Sequence, residues 1–329
     1  MKKSFVSIAM ATYNGASFIE PQLESIINQT VLPSELVICD DRSTDDTVKI
    51  LEHYRQRAPF PVNVHINEKN FGVTGNFSKA ADLCTGDYIA FADQDDYWLP
   101  DKLEQEMQYL EDRPEMDIVF TDLQLVDENL KPLGKTMWEH LGFGTKAQQD
   151  WSTDGAFPLM HNTGNKVTGC TMMIRSSAWP GYKPYIEKGV EDKLHDEIMA
   201  LLAAREGKIG FIPKCTVLYR QHERQSVGTR NDYKHFNSGR NNPILSFFSR
   251  KPVEVQLKEL SYKYGVLNAL NFNGADVEEA YQKVTFFEER LNAAGFREKI
   301  QTIFKNYRHG NYQKFTNAPL KNIIRDLIT

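Results

Sequence analysis

Cysteine is scarce in this chain and never paired. The four residues Cys39, Cys84, Cys170 and Cys215 include no CxxC spacing. That argues against a disulfide framework and reads as reduced, mostly buried thiols of a cytosolic protein. Long apolar runs are missing as well. No stretch approaches the ~20 apolar residues of a spanning helix, so the chain is expected to be soluble or to lie on a membrane without crossing it. The opening "MKKSFVSIAMATYNG" carries two lysines, but its apolar part is short and runs into a polar turn. It reads as a first strand rather than a signal peptide. Positive charge is not in excess either: the net charge is −5, which does not favour a general nucleic-acid binder. The glycine-rich phosphate loops GxGxxG and GxxxxGKS/T are absent, as are internal repeats and low-complexity tracts.

What is present is an ordinary globular composition, 41% hydrophobic and 25% charged, arranged as an alternation. Residues 5–11, "ELVICDD", "VNVHIN", "DYIAFAD" and "DIVFTDLQLVD" are strand-like runs. Between them, residues 17–29, "STDDTVKILEHYRQR", 74–84 and "LPDKLEQEMQYLEDR" have helical spacing, acids early and, in the second, bases late. Alternating strands and helices predict an α/β fold, a Rossmann-like, mainly parallel sheet flanked by helices. In such sheets ligands bind beyond the carboxyl ends of the strands. Three polar clusters fall there: Thr12-Tyr13-Asn14, Asp40-Asp41 and Asp93-Gln94-Asp95-Asp96.

Residues 128–166 loosen into Gly, Asn, Thr and Gln with isolated aromatics, and are expected to form a long loop. "KVTGCTMMIRSS" returns to strand character, a helix ends at Gly207, and "KIGFIPKCTVLYRQH" is a strand broken by Pro213. Beyond about 228 the chain turns helical and rich in Lys, Arg, Asn and aromatics, with most of the helix in 254–306. The expected domains are 1–228, nucleotide-sugar-binding and catalytic on the reading developed below, and 229–329, a helical C-terminal extension.

The stretch "YIAFADQDDYW" empties an apolar strand into three carboxylates within four positions. One Asp after a strand is a turn or a helix cap. Three repel one another, and a cation would offset that cost. Carboxylate oxygens suit Mg²⁺ or Mn²⁺, and Mg²⁺ takes only one or two of them, leaving its other positions for water and phosphate oxygens. An EF-hand is excluded because Tyr97 and Trp98 stand at the third ligand and glycine positions. Tyr13 is suited to stack on a base, and an acid ending the second strand to accept hydrogen bonds from a base or ribose. Asp45 and Asp46 fit the next helix N-terminus better.

These pieces in this order resemble the glycosyltransferase family 2 enzymes of GT-A fold. The resemblance rests on "SIAMATYNGASFIEPQLESIINQT", "LVICDDRSTDDT", "NEKNFGVTGNFSKAADLCTGDYIAFADQDDYW", "GCTMMIR", "HDEI" and "YRQH", spanning roughly residues 4–228. It implies transfer of a sugar from a nucleotide diphosphate donor to an acceptor hydroxyl, with inversion and dependence on Mn²⁺ or Mg²⁺. Tyr13 would stack on the base, Asp41 would read the pyrimidine with Asp40 beside it, Asn76 would lie near the donor, Asp93 would approach the ribose, and Asp95 would bind the metal. Asp96 matches an extra acid without a fixed role. Asp196 of "HDEI" is the implied catalytic base, with Glu191-Asp192 as a rival. His222 of "YRQH" is implied to complete the metal shell or touch the diphosphate. Relatives often carry Trp after "HD", where this chain has Glu197 and Ile198.

The wording is closest to bacterial enzymes of surface-polysaccharide synthesis, including rhamnosyltransferases, and implies a dTDP-rhamnose or UDP-hexose donor. The implied acceptor is a glycan or lipid-linked glycan, and no nucleic acid is implied. The basic, aromatic tail either packs as a helical bundle or lies on an anionic membrane, giving a cytoplasmic protein with a peripheral contact on the inner face of the cell membrane. Two other functions compete. A nucleotidyltransferase would carry a basic loop after strand one, and "TYNGASFIEP" has no Lys or Arg. A degenerate binding scaffold would not need Asp95 and Asp196.

Overall fold

A computed structural model describes residues 4–189, 194–223, 225, 251–272, 275–293 and 296–316, with the single positions 319, 322, 323 and 326. Glu191 and Asp192 lie outside the described residues, as does nearly all of 230–252. The chain divides into two compact units, Met1–Gly228 and Thr229–Thr329.

In the first unit the order is β1 (Val6–Thr12), α1 (Ile19–Ile27), β2 (Glu35–Asp40), α2 (Thr47–Arg57), β3 (Val62–Ile66), α3 (Gly72–Leu83), β4 (Tyr88–Asp93), β5 (Tyr97–Trp98), α4 (Lys102–Glu111) and β6 (Ile118–Val126). Then follow β7 (Pro132–Thr136), α5 (Met137–His140), α6 (Thr145–Asp154), α7 (Ala156–Thr163), β8 (Met172–Arg175), α8 (Trp179–Lys188), α9 (His195–Arg205) and β9 (Ile209–Arg220). One sheet runs β3-β2-β1-β4-β8-β6-β9-β5, with β7 added on β6. Its first four strands are parallel. β8 runs antiparallel to both its neighbours, and β6 and β9 are parallel again. The sheet is thus parallel where βα units build it and mixed where β8 enters.

β1, β2 and β4 are buried along nearly their whole length, which explains their unbroken apolar runs: both faces are covered. The buried side of α3 combines Phe77, which packs on Phe91 of β4, with the small residues Ser78, Ala80 and Ala81. Its Asn76 amide reaches the carbonyls of Thr12 and Cys39 at 3.3 and 2.9 Å. The start of α3 therefore sits over the carboxyl ends of β1 and β2.

Two expectations are corrected. Residues 128–166 are not a long loop but β7 and three short helices. Their scattered aromatics form one cluster: Trp138, Phe143 and Trp151 pack with Phe120 of β6 and Phe211 of β9, ring centres 4.9–6.3 Å apart. Aromatic burial holds a stretch whose backbone propensity is poor. Pro213 does not break its strand. Thr121 pairs with Ile212 and Asp122 with Cys215, so Pro213 and Lys214 are bulged out and no ladder donor is missed.

The second unit contains α10 (Lys251–Ala269), α11 (Ala275–Asn292), α12 (Phe296–Arg308) and α13 (Asn311–Phe315). The helical stretch is interrupted near Asn271, whose φ is 55°. Phe286, Phe287, Tyr312 and Phe315 form its core. Arg290 lies among three of these rings and forks onto Asp326 at 2.7 and 2.9 Å. Among the described residues no helix is long and apolar enough to cross a membrane.

Candidate active site

The site is built at the carboxyl ends of β1, β2 and β4. The turns after β1 and β2 each use a non-glycine residue in the left-handed region, Asn14 (φ 48°) and Arg42 (φ 64°). Hydrogen bonds hold the two turns together. The Asn14 N–H donates to Ser43 Oγ at 2.8 Å, and the Thr44 N–H donates to Asn14 Oδ1 at 2.8 Å. Gln94, the middle residue of the acidic turn, acts as a clamp: it accepts from the Tyr13 N–H at 2.9 Å and donates to the Tyr13 carbonyl at 3.1 Å. This approach requires Gly15, because a Cβ there would lie 2.2 Å from Gln94 Oε1. The clamp fixes the backbone of Tyr13, whose ring is 49% exposed beside the cleft.

Asp41 is buried. It accepts from Asn67 Nδ2 at 2.6 Å and from the Phe71 N–H at 3.0 and 3.1 Å. Asn67 in turn bonds Asn76 at 2.8 Å, so the floor under Asp41 is a connected amide network. Asp40 stands apart from the cleft. It is fully buried, and its oxygens accept from Thr12 Oγ1 and from the Ser43 N–H and Oγ at 2.6–2.7 Å. It ties β1 to the next turn. Asn76 lines the cleft, but its amide is committed to the backbone and Asn67.

The three acids after β4 have three environments. Asp95 Oδ2 lies 2.8 Å from His222 Nε2, and its carbonyl accepts from Arg220 Nε at 2.8 Å. His222 stacks on Phe18 at 4.2 Å, which fixes the plane of the imidazole. Asp93 lines the cleft, and burial, followed by the carboxylates of Asp95 and Asp196, raises it to about 8. Asp96 turns inward and is fully buried. The Arg220 N–H reaches its Oδ1 at 3.4 Å, and its Oδ2 has no partner among the described residues. The Cys170 thiol, a weak donor, sits beside Asp93 and Asp96, with their ligand-type atoms within 4.8 Å of one another. Burial, then Asp93 and Asp95, push Asp96 well up.

The opposite wall is the start of α9. Asp196 is in its first turn, where an acid complements the helix dipole. Its Oδ2 accepts from the Gly169 N–H at 2.9 Å and its Oδ1 from the Glu197 N–H at 2.8 Å. Ile198 is fully buried. His195 is buried against Phe77 and Phe91, and burial lowers it to about 3, so it is neutral at any working pH.

One cleft of about 780 Å³ is lined by Tyr13, Asp41, Asn76, Asp93, Asp95, Asp196 and His222 together, a volume suited to a small-molecule ligand. Of the candidate residues in the sequence, Asp40 and Asp96 are outside this lining, and Glu191 and Asp192 lie outside the described residues. Sequence reasoning missed Gln94, Gly169, His195 and Phe18. Gln94 had a signal, its place inside Asp-x-Asp. The contacts of the others depend on long-range packing.

A family model described as Glycosyl transferase family 2 matches residues 7–180. The dTDP-rhamnosyl transferase RfbG of Shigella flexneri is 33% identical over 237 residues, which cover 68% of this chain and 75% of that protein. Among solved structures, residues 1–349 of S. aureus TarS in complex with UDP-GlcNAc match with a TM-score of 0.54 at 18% identity, over 98% of this chain and 89% of that one. The mannosyltransferase PcManGT of Pyrobaculum calidifontis, in complex with GDP-Man and Mn²⁺, matches with a TM-score of 0.53 at 14% identity, over 100% and 85%. At these identities the two structures speak to fold alone, and the fold is the GT-A arrangement expected from the motifs.

Proposed function

Because this chain belongs to glycosyl transferase family 2, we propose that it moves a sugar from a UDP- or dTDP-linked donor to an acceptor hydroxyl, with inversion, in bacterial polysaccharide or glycan synthesis. The observation that carries this is the gathering of Tyr13, Asp41, Asp93, Asp95, Asp196 and His222 around one cleft. The naming of its relative RfbG as a dTDP-rhamnosyl transferase favours the dTDP arm. The acceptor is a glycan or lipid-linked glycan, reached by peripheral contact with the inner face of the cell membrane.

The donor set fits a divalent cation. A carboxylate oxygen and an imidazole nitrogen lie 2.8 Å apart beside the cleft, and the raised carboxyls of Asp93 and Asp96 stand close by, to ionise when a cation binds. Carboxylate suits Mg²⁺ and Mn²⁺, and imidazole beside it widens the choice to transition metals. Asp95 and His222 would hold the ion, which when bound supplies Lewis-acid stabilisation of the departing diphosphate.

The remaining work falls to the chain. Tyr13, fixed by Gln94, offers an exposed ring to the base. Asp41, held by Phe71 and Asn67, keeps lone pairs for the pyrimidine edge. Asp93 lines the same cleft beside Asp95 and would approach the ribose. Asp196 accepts an N–H on each oxygen, which orients the carboxylate. It accepts the proton of the acceptor hydroxyl as that oxygen attacks the anomeric carbon, while the bond to the diphosphate oxygen breaks.

Calorimetric titration with UDP, dTDP and GDP, with and without Mn²⁺, tests the reading. Metal-dependent binding of UDP or dTDP, lost in Asp95→Ala, is the expected result. Absence of diphosphate binding with metal present would reduce the cleft to a degenerate scaffold. With the donor so identified, Asp196→Asn should lower kcat by ~10²–10⁴-fold and leave nucleotide binding intact.

A further inference from the structure

Helix α12 is turned away from its own pattern. Ile300, Ile303, Phe304 and Tyr307 fall at i, i+3, i+4 and i+7, one stripe of a helix. Such a stripe ordinarily faces a core. Here the helix meets its unit through a more polar sector. Asn306 is buried and donates to Glu289 Oε2 and to the Thr302 carbonyl, both at 3.0 Å, and Lys305 pairs with Glu289 at 2.5 Å. Of the stripe, only Ile303 packs on the aromatic core of Phe286, Phe287, Tyr312 and Phe315. Ile300, Phe304 and Tyr307 are left 45%, 61% and 55% exposed. One exposed aromatic needs no explanation, but three large side chains on successive turns of one face do.

The charge around that face selects the occupant. At ~100° per residue, Arg297 and Arg308 border the stripe, and Arg308 lies over the Phe304 ring at 5.5 Å. Glu298, the one acid in the helix, projects from the far side. The whole unit is basic: residues 229–329 hold 16 Lys and Arg against 10 Asp and Glu, whereas residues 1–228 hold 23 against 34. Pairing with a second copy through this face would set basic units against each other. A negatively charged surface with an apolar interior satisfies both features, and an apolar stripe edged by arginines with a tyrosine on it is the composition of an interfacial helix.

We propose that α12 lies in an anionic lipid surface, with Ile300, Phe304 and Tyr307 entering the headgroup–acyl boundary and Arg297 and Arg308 at the headgroups. The proposal rests on the transferase reading only for its purpose, which is to hold the cleft near a lipid-linked acceptor.

The test is co-sedimentation of the full chain with phosphatidylcholine vesicles, with and without phosphatidylglycerol, at low and high salt. Binding only to the anionic vesicles, weakened by salt, is expected. Phe304→Ser and Ile300→Ser should each weaken it about tenfold or more, and Arg297→Gln and Arg308→Gln about fivefold each. No binding, equal binding to neutral vesicles, or variants indistinguishable from wild type would overturn the proposal. So would a concentration-dependent dimer, in sedimentation velocity, that Phe304→Ser dissolves. UDP and dTDP calorimetry on the same preparations separates the two readings. Nucleotide binding without vesicle binding removes the lipid surface alone. Vesicle binding without nucleotide binding removes the transferase alone.

Discussion

Two charged clusters lie near Cys170, one around Lys102 and one around Asp93 and Asp96, and the protein treats them differently. In one, Glu106 is fully buried with Lys102, Nζ to Oε1 2.5 Å, and the lysine also lies 4.7 Å from the centre of the Trp98 ring. In the other, Asp93, Asp95 and Asp96 crowd together with no lysine bonded to any of their carboxylates among the described residues. The Cys170 thiol senses both: Asp96 and Asp93 push its pKa up and Lys102 pulls it down. Where the chain supplies its own cation, the pair is closed and faces no cleft. In the other group Asp93 and Asp95 border a cavity of about 780 Å³. Arg220 lies within electrostatic reach of Asp95 and Asp96 but spends its guanidinium on main-chain carbonyls, so on the proposed reading a bound cation would balance the carboxylates that face the cavity.

The largest effect should come from breaking the closed pair. Lys102→Met leaves Glu106 buried and uncompensated, which costs about 3–5 kcal/mol in urea denaturation near neutral pH. The loss should shrink as pH falls, because Glu106 can escape by taking a proton. Adding Glu106→Leu should recover most of the stability. A single variant as stable as wild type would mean that the pair is not the structural element this comparison makes it.

The second effect separates the sites by what they bind. Mn²⁺ at a hundred times its Kd should stabilise the native protein by about 2.7 kcal/mol. The Lys102→Met/Glu106→Leu protein should respond as fully as wild type, and Asp95→Ala should not respond. Loss of the response in the double variant would show that the two acid groups act as one site.

Removing a carboxylate should have opposite signs at the two places. Asp96 has an oxygen without a partner and two acids near it, so Asp96→Asn should stabilise the metal-free protein by about 1 kcal/mol. Destabilisation, measured by the same urea titration, would mean that Asp96 holds the Arg220 backbone more firmly than its charge strains the cluster.

The two acid groups were not equally visible in the sequence. The parallel half of the sheet could be read directly, because β1, β2 and β4 are buried on both faces and appear as unbroken apolar runs. The polar clusters at their ends marked the cleft for the same reason. Asp93, Asp95 and Asp96 stood out by number alone, but their different roles did not: side-chain direction after the strand, set by Arg220 and Gln94, decides which acid faces the cavity. Asp40 and Asp41 are adjacent letters, yet one faces inward to Thr12 and Ser43 and the other the cleft. Lys102–Glu106 has the spacing of an ordinary surface i,i+4 pair, yet both side chains are fully buried, with the lysine against the Trp98 ring. In 128–166, the Thr136-x-x-Glu139 capping box was a legible helix start. The aromatic cluster that holds the segment required Phe120 and Phe211, which are far away in the chain.

The pH dependence is the most discriminating. Burial raises both Asp93, to about 8, and Glu106, to about 7, Lys102 notwithstanding. In each case the native state keeps a proton that the unfolded chain has already released above ~4. Each site therefore contributes stability that is full below ~4 and is lost as pH rises through its folded value. Metal-free protein should lose stability from pH 5 to 8. Glu106→Gln should flatten the part that ends near 7, and Asp93→Asn the part that reaches 8. Between pH 7 and 8 the Asp93 contribution is at most about 1.4 kcal/mol. Saturating Mn²⁺ favours ionised carboxylates, so it should erase the Asp93 part of the slope and leave the Glu106 part unchanged. If the metal flattened both, or neither, the distinction between a closed pair and an open site would fail.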